Sequence, residues 1–475
     1  MSMKRFSPGP SAEFFVSNKR DWELNWKIAR HFLPHARVRT VRDAIVLPIR
    51  YIGEPGIGHN LMEGGLCDAH GRFVAGRRRS FWNDKANISC LRAYPTDGLD
   101  IQMRDEDVIF GGLLNRHWGH ILTDSTPRLW YVTDHPEDTR KIVFLSPPPH
   151  KNNPLAAFAE EDARTLFELA GIERDRIEIV DKPTRFRSVT APEEAIYSLD
   201  AVRPEWISFF DAVRSRIEPS PYKKVYFSRT RFKGGDTFNE DLFESYWRDR
   251  GFHIVCPEDC TLREEISLIA GADELVATIG TLTHNFLFAK PGTKATILLR
   301  TPTPLRLQLL VGAARGLRCD YVEACRNVLP TTHNAGVFFL SPVPAFRDYL
   351  RIRGLPGFDS ASPDDLFSDN RISPYVRRWL TSKATQHDVV TAIRNAGMGD
   401  TAAIERLAAD LDRGADEHEA TRLVSAFVRN ELLRLARSDE KSQPASSSKS
   451  PNFAHRAKDL IRLLRHTWFH PRHDL

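Results

Sequence analysis

Cysteine is scarce in this 475-residue chain: Cys67, Cys90, Cys256, Cys260, Cys319 and Cys325 are all there is, and no two stand as C-x-x-C. That spacing supports neither a disulfide framework nor a zinc site, and Cys256 and Cys260 read as small buried hydrophobes. Long apolar runs are missing as well. The best candidates, Ile297 to Leu299 and Gly336 to Leu340, fall far short of the roughly 20 residues that span a bilayer. Lys4 and Arg5 imitate a secretory n-region, but Pro8, Pro10, Ser11 and Glu13 deny it an apolar core, so a cytoplasmic protein is expected. Charge of one sign is equally thin: 67 Lys+Arg against 62 Asp+Glu leave +5, too diffuse for a nucleic-acid binder. No Gly-Lys-Ser follows a glycine loop and no G-x-G-x-x-G opens a βαβ unit, which counts against ATPase, NAD and FAD chemistry.

What remains is an ordinary globular composition, 41% hydrophobic and 27% charged, long enough for two or three domains. Residues 1–110 read as a β-rich N-terminal segment, with Ala44 to Arg50 as a strand and Cys67 to Val74 as a hairpin. Residues 111–218 alternate as βαβ: a helical run Gly119 to Trp130, a strand Lys141 to Ser146, a helix around Glu160 to Ala170 and a strand Arg176 to Val180. Ser215 to Tyr222 reads as a linker. Residues 219–345 are the most regular part, with strands at 224–228, 252–256, 274–278 and 294–299 and helices at 239–250, 262–270 and 282–289. Thr261 and Glu264 form a capping box there, and short apolar strands separated by helices imply a parallel sheet covered on both faces. The expected fold is α/β, two facing Rossmann-like domains with a cleft between them. A helical extension at 346–437, a flexible linker at 438–452 and a basic amphipathic tail at 453–475 complete it. The tail reads either as a solvated docking helix or as a peripheral membrane contact.

Three constellations can carry chemistry. In the first, Asn115 to Arg128, His120 and Asp124 lie one helical turn apart beside His117; general-base work, a structural hydrogen bond and a partial metal site all fit that spacing. The second is Ser228-Arg229-Thr230-Arg231 at a strand end, where two arginines suit a phosphate or diphosphate, or form a solvated pair. The third is Ile279-Gly280-Thr281-Leu282-Thr283-His284-Asn285, a strand running into a helix N-terminus that presents amides and hydroxyls to an anion. Asp105-Glu106-Asp107 has the D-x-D form of a metal-dependent sugar-nucleotide site, but the same pattern recurs at Asp410 to Asp412, so chance supplies it.

At these residues the chain resembles glycosyltransferase family 61. Its Asn-Tyr-Gly-His, acidic and Pro-Arg-Leu block is similar to His117-Trp118-Gly119-His120, Asp124 and Pro127-Arg128-Leu129. A second block is similar to Val225 to Arg229, Arg231, Gly251-Phe252, Pro257-Glu258, Glu264 to Ile266, Ala270 to Asp273 and Asn285 to Thr293. Where the family usually reads His-Gly-Ala-Gly-Leu-Thr-Asn, this chain has Ile279 to Asn285, without that histidine and with one glycine fewer. The resemblance implies a GT-B-like enzyme that moves a sugar from a nucleotide-sugar to a glycan or other hydroxyl acceptor with inversion, with no cofactor and no divalent metal, in polysaccharide or surface-glycan synthesis. It implies Asp124 or His120 as base, and Ser228, Arg229, Arg231, Glu258, Gly280, Thr281, Thr283 and Asn285 on the donor, with His117 and Arg128 towards the acceptor. The competing readings are a catalytically inactive nucleotide-sugar-binding or scaffold protein and, from His117, His120 and Asp124, a metal-dependent hydrolase.

Overall fold

The computed structural model describes residues 10–52, 61–77, 89–115, 117–146, 161–197, 201–232, 237–329, 337–358, 362–381, 391, 401–411 and 417–441. The expected linker beyond residue 441 and the tail at 453–475 lie outside them. Chain packing divides into Met1–Leu433 and Arg434–Leu475; of the second unit the described residues, 434–441, are helical. No helix among the described residues is long and apolar enough to cross a membrane.

The protein is mixed α/β, built on two main sheets. The first has six parallel strands in the order Ser11–Phe15, Arg318–Glu323, Lys294–Leu299, Glu274–Thr278, Lys224–Phe227, His253–Val255. Its central strands are mostly apolar past their first residue, because parallel strands are covered on both sides, and the two-residue alternation splits them between two cores. Tyr226, Val276, Leu298 and Val322 face one side with Phe243 and Trp247 of helix Glu240–Arg248 and Phe346 and Tyr349 of helix Pro344–Ile352. Val225, Phe227, Leu275, Ala277, Ile297 and Leu299 face the other. Helix Leu262–Gly271 starts at the expected capping box, with Thr261 and Glu264 satisfying each other's backbone amides.

The second sheet is mixed, in the order Phe73–Ala75, Leu61–Cys67, Val38–Tyr51, Thr184–Pro192, Gln102–Leu113, Ile142–Leu145, Ile177–Ile179. Ile109, Ile142, Phe144 and Ile177 on one of its faces join the same cluster as Val225 and Phe227, through helices Glu161–Leu169, Pro204–Arg214, Leu262–Gly271 and Arg306–Arg315. The two sheets therefore share an apolar core.

Three local expectations change. Ser11–Phe15, grouped by sequence with the N-terminal β-rich segment, extends the other sheet by pairing with Arg318–Glu323. Residues from 344 onward do not begin a separate extension, since Phe346, Tyr349 and Leu350 close one face of that same sheet. The helical run from Gly119 to Trp130 is broken into Trp118–His120, a π-turn at Ile121–Ser125 and Trp130–Asp134. Thr123 and Thr126 hydroxyls bond back to the carbonyls of Gly119 and Leu122, and Pro127 has no N–H with which to continue the ladder.

Candidate active site

In the parallel sheet, strand Lys224–Phe227 lies between His253–Val255, which follows it in sequence, and Glu274–Thr278, which comes next. The connections leave to opposite sides here, so the carboxyl ends of strands Lys224–Phe227 and Glu274–Thr278 open a crevice, the usual ligand position in such sheets. Ser228-Arg229 and Ile279-Gly280 fill those two ends. Gly280 has φ 151°, and a Cβ on it would stand 2.8 Å from Arg300 Nη2 and 3.9 Å from Arg229 Nη1. Two guanidinium groups thus gather at one glycine. Burial lowers the pKa of both, and the positive charge of Arg229 helps bring Arg300 to about 10. Arg229 stacks 4.2 Å from the Phe232 ring and Arg300 4.5 Å from Phe338, and among the described residues neither forms an ion pair. The nearby Glu240 accepts from the Arg229 amide and the Tyr226 hydroxyl, and burial pushes its carboxyl up to about 7, so it is a weak counter-charge. An anion placed between the arginines would relieve both their desolvation and their repulsion. Beyond Arg300, along the ends of strands Ser11–Phe15 and Arg318–Glu323, a cleft of about 840 Å³ continues, with Lys19, Arg326 and Asn327 in its wall.

The other expected donor residues divide between surface and scaffold. Arg231 points away, exposed and paired with Asp259. Glu258 is exposed but close enough to act electrostatically on Arg229. Ser228 is buried, its hydroxyl bonded to Glu244 Oε1 at 2.5 Å and to Thr230 at 2.8 Å. Thr283 caps the turn at Gly280 and bonds Gln308 Oε1 at 2.5 Å. Thr281 stays partly open at the helix start.

The first constellation meets this crevice directly. Trp118 Nε1 donates to Asn285 Oδ1 at 2.8 Å, and Asn285 Nδ2 donates to Glu265 Oε1 at 2.7 Å. Gly119 lies so close to the helix start that a Cβ on it would be 3.1 Å from Thr281 Cγ2 and 3.4 Å from His284 Nδ1. Asn285 is therefore a staple between the two blocks. Next to it, His120 Nδ1 lies 2.6 Å from Asp124 Oδ2. The Asp124 side chain is 0% exposed and that of His120 28%, so of the pair only the imidazole is open to solvent. Arg77, which the sequence did not single out, holds the other oxygen of Asp124 at 2.7 Å. His117 is exposed, its ring edge-on to that of His120 at 5.3 Å. Arg128, expected towards the acceptor, is buried, bonding the carbonyls of Pro192 and Gly76, with Phe110 beneath it.

Among the described residues no three His, Cys, Asp or Glu side chains converge as a metal-ligand set. Asp105 and Asp107 both bind Arg187, and Asp107 also takes the Ser188 hydroxyl, which holds its carboxyl well below the usual range.

The arrangement is thus an α/β crevice that sets two arginines beside a His–Asp pair. Residues 118–296 match the model of the family Glycosyltransferase 61. The match bears out the resemblance to this family read from the two motif blocks, and sugar transfer is the activity that the family's description names. No curated protein is significantly similar to the chain. The matched stretch starts one residue after His117 and ends inside strand Lys294–Leu299, so Arg77 and Arg300 both lie outside it.

Proposed function

We propose that this chain is an inverting, GT-B-like glycosyltransferase that passes a sugar from a nucleotide-sugar to a hydroxyl acceptor without a divalent metal, in polysaccharide or surface-glycan synthesis. The observation that carries the reading is the pair of half-buried Arg229 and buried Arg300 around Gly280, set beside the solvent-reachable His120. As the glycosidic bond to the donor breaks, negative charge grows on the leaving diphosphate. Two guanidinium groups and the amides of Thr281 and Leu282 offset it where a metal otherwise would. On the opposite face of the sugar, His120 removes the acceptor hydroxyl proton as that oxygen attacks the anomeric carbon, so the configuration inverts. Asp124 balances the imidazolium that forms. The cleft beyond Arg300 offers room for the rest of the donor.

Calorimetry of the full chain against UDP-, GDP-, CMP- and dTDP-sugars tests this, followed by a transfer assay with and without chelator. The expected result is saturable binding of one donor class, lost in Arg229→Ala, and turnover that chelator leaves unchanged. Folded protein that binds none of the donors would overturn the reading. Binding without turnover on any acceptor would favour the inactive scaffold, and chelator-sensitive turnover would refute the metal-independent mechanism.

A further inference from the structure

We propose that Arg77 is the positioning residue that decides which nitrogen of His120 faces the acceptor, an inference that rests on the reading of His120 as base. Arg77 follows strand Phe73–Ala75, and its backbone is pinned to Cys90 in both directions, at 3.0 and 2.7 Å. Its side chain is 1% exposed, and all five guanidinium N–H groups have an acceptor. Nε and Nη2 both donate to Asp124 Oδ1, at 3.1 and 2.7 Å, and Nη2 also reaches the Thr123 carbonyl at 3.1 Å. Nη1 serves Glu194 Oε2 and the Ile196 carbonyl, each at 3.3 Å.

The consequence lies in which oxygen is taken. Both bonds to Asp124 fall on Oδ1, which leaves Oδ2 aimed at His120 Nδ1. A carboxylate paired with a guanidinium only accepts, so Nδ1 carries the hydrogen and Nε2 keeps the lone pair that takes a proton. Lysine would retain the charge but not the fork. Among the described residues, the charged and titratable groups around His120 include Asp124 on its own turn, His117 just before it, His284 on the helix packed against Gly119, and Arg77 and Glu194 behind Asp124.

Two measurements on the full chain decide it. Nitrogen-15 NMR of the imidazoles at mildly alkaline pH, with His120→Asn for assignment, should show neutral His120 protonated at Nδ1. Proton on Nε2 would overturn the proposal whether or not sugar transfer is detected. In pH profiles of transfer, Arg77→Lys should keep the acidic limb of kcat/KM in place and lower kcat about tenfold to a hundredfold at unchanged donor KM. Arg77→Gln should move that limb upward by about one pH unit, because Asp124 then acts undiluted on the imidazolium. A folded Arg77→Gln protein with the wild-type limb, together with wild-type kcat in Arg77→Lys, would reduce Arg77 to a packing element. Absence of donor binding by the wild type would instead refute the functional reading, and the NMR result would still decide Arg77.

Discussion

Replacing Glu265 by Gln should stabilise the protein at neutral and alkaline pH and do little in acid. Glu265 is 7% exposed on helix Leu262–Gly271, and its Oε1 accepts from Asn285 Nδ2 at 2.7 Å. Burial is the main reason its carboxyl rises from 4.5 to about 7; the Asn285 bond opposes the rise, and the charges of Asp162 and Glu258 add to it. The folded protein therefore holds a proton that the unfolded chain releases between 4.5 and about 7. Stability falls as pH climbs through that window, and the full loss stands above it. The gap of about 2.5 pH units corresponds to about 3 kcal/mol. Gln keeps an oxygen for Asn285 and cannot ionise, so its advantage should grow from near zero at about pH 4 to about 3 kcal/mol at about pH 8. Glu240 is also raised to about 7, but it is present in both proteins and cancels in the difference. Urea unfolding of the two proteins at both pH values measures the effect. A variant-minus-wild-type difference that is the same at both would refute the argument that Glu265 is buried with its proton on.

The crevice offers two further tests. Arg300→Ala should weaken donor binding by about 2 kcal/mol, roughly thirtyfold, as expected for a lost charge-assisted contact. Arg231→Ala removes only an exposed pair with Asp259 and should leave the affinity within a factor of about two, so equal losses by calorimetry would contradict the assigned geometry. Gly280→Ala forces a Cβ to within 2.8 Å of Arg300 Nη2 at a φ of 151°. It should cost roughly 1–3 kcal/mol of stability and displace Arg300, so both Tm and donor affinity should fall together.

Much of the fold was legible because its signals are local. Three-residue apolar cores such as Val225 to Phe227 and Leu275 to Ala277 announce strands, and Thr261 with Glu264 announces the helix between. What could not be read depends on distant partners. Ser11–Phe15 is an ordinary five-residue stretch until it meets Arg318–Glu323, some 300 residues away. Thr184–Pro192 lacks a regular polar–apolar alternation and ends in proline, yet it lies between Val38–Tyr51 and Gln102–Leu113. The π-turn at Ile121–Ser125 also escapes a helical reading, because no period distinguishes five residues in a wide turn from five in a normal one.

The same division explains the site. Arg229, Gly280, His120 and Asp124 announce themselves because a strand end or a one-turn spacing gives each residue type a job. Arg231 and Ser228 share that strand end, yet one reaches outward to Asp259 and the other inward to Glu244, a difference that two residues of sequence cannot encode. Arg300 did leave a trace: a single cation terminates the apolar run Ile297 to Leu299, at the carboxyl end where parallel sheets bind their ligands. Arg77 left none, since in sequence it opens the run Arg77-Arg78-Arg79, the usual mark of a solvated basic surface. Only the pairing of its backbone with Cys90 turns its side chain inward, to Asp124 and Glu194. The cations that define this crevice are thus those that burial has separated from a larger and chemically identical population, which is why a net charge of +5 carried no hint of them.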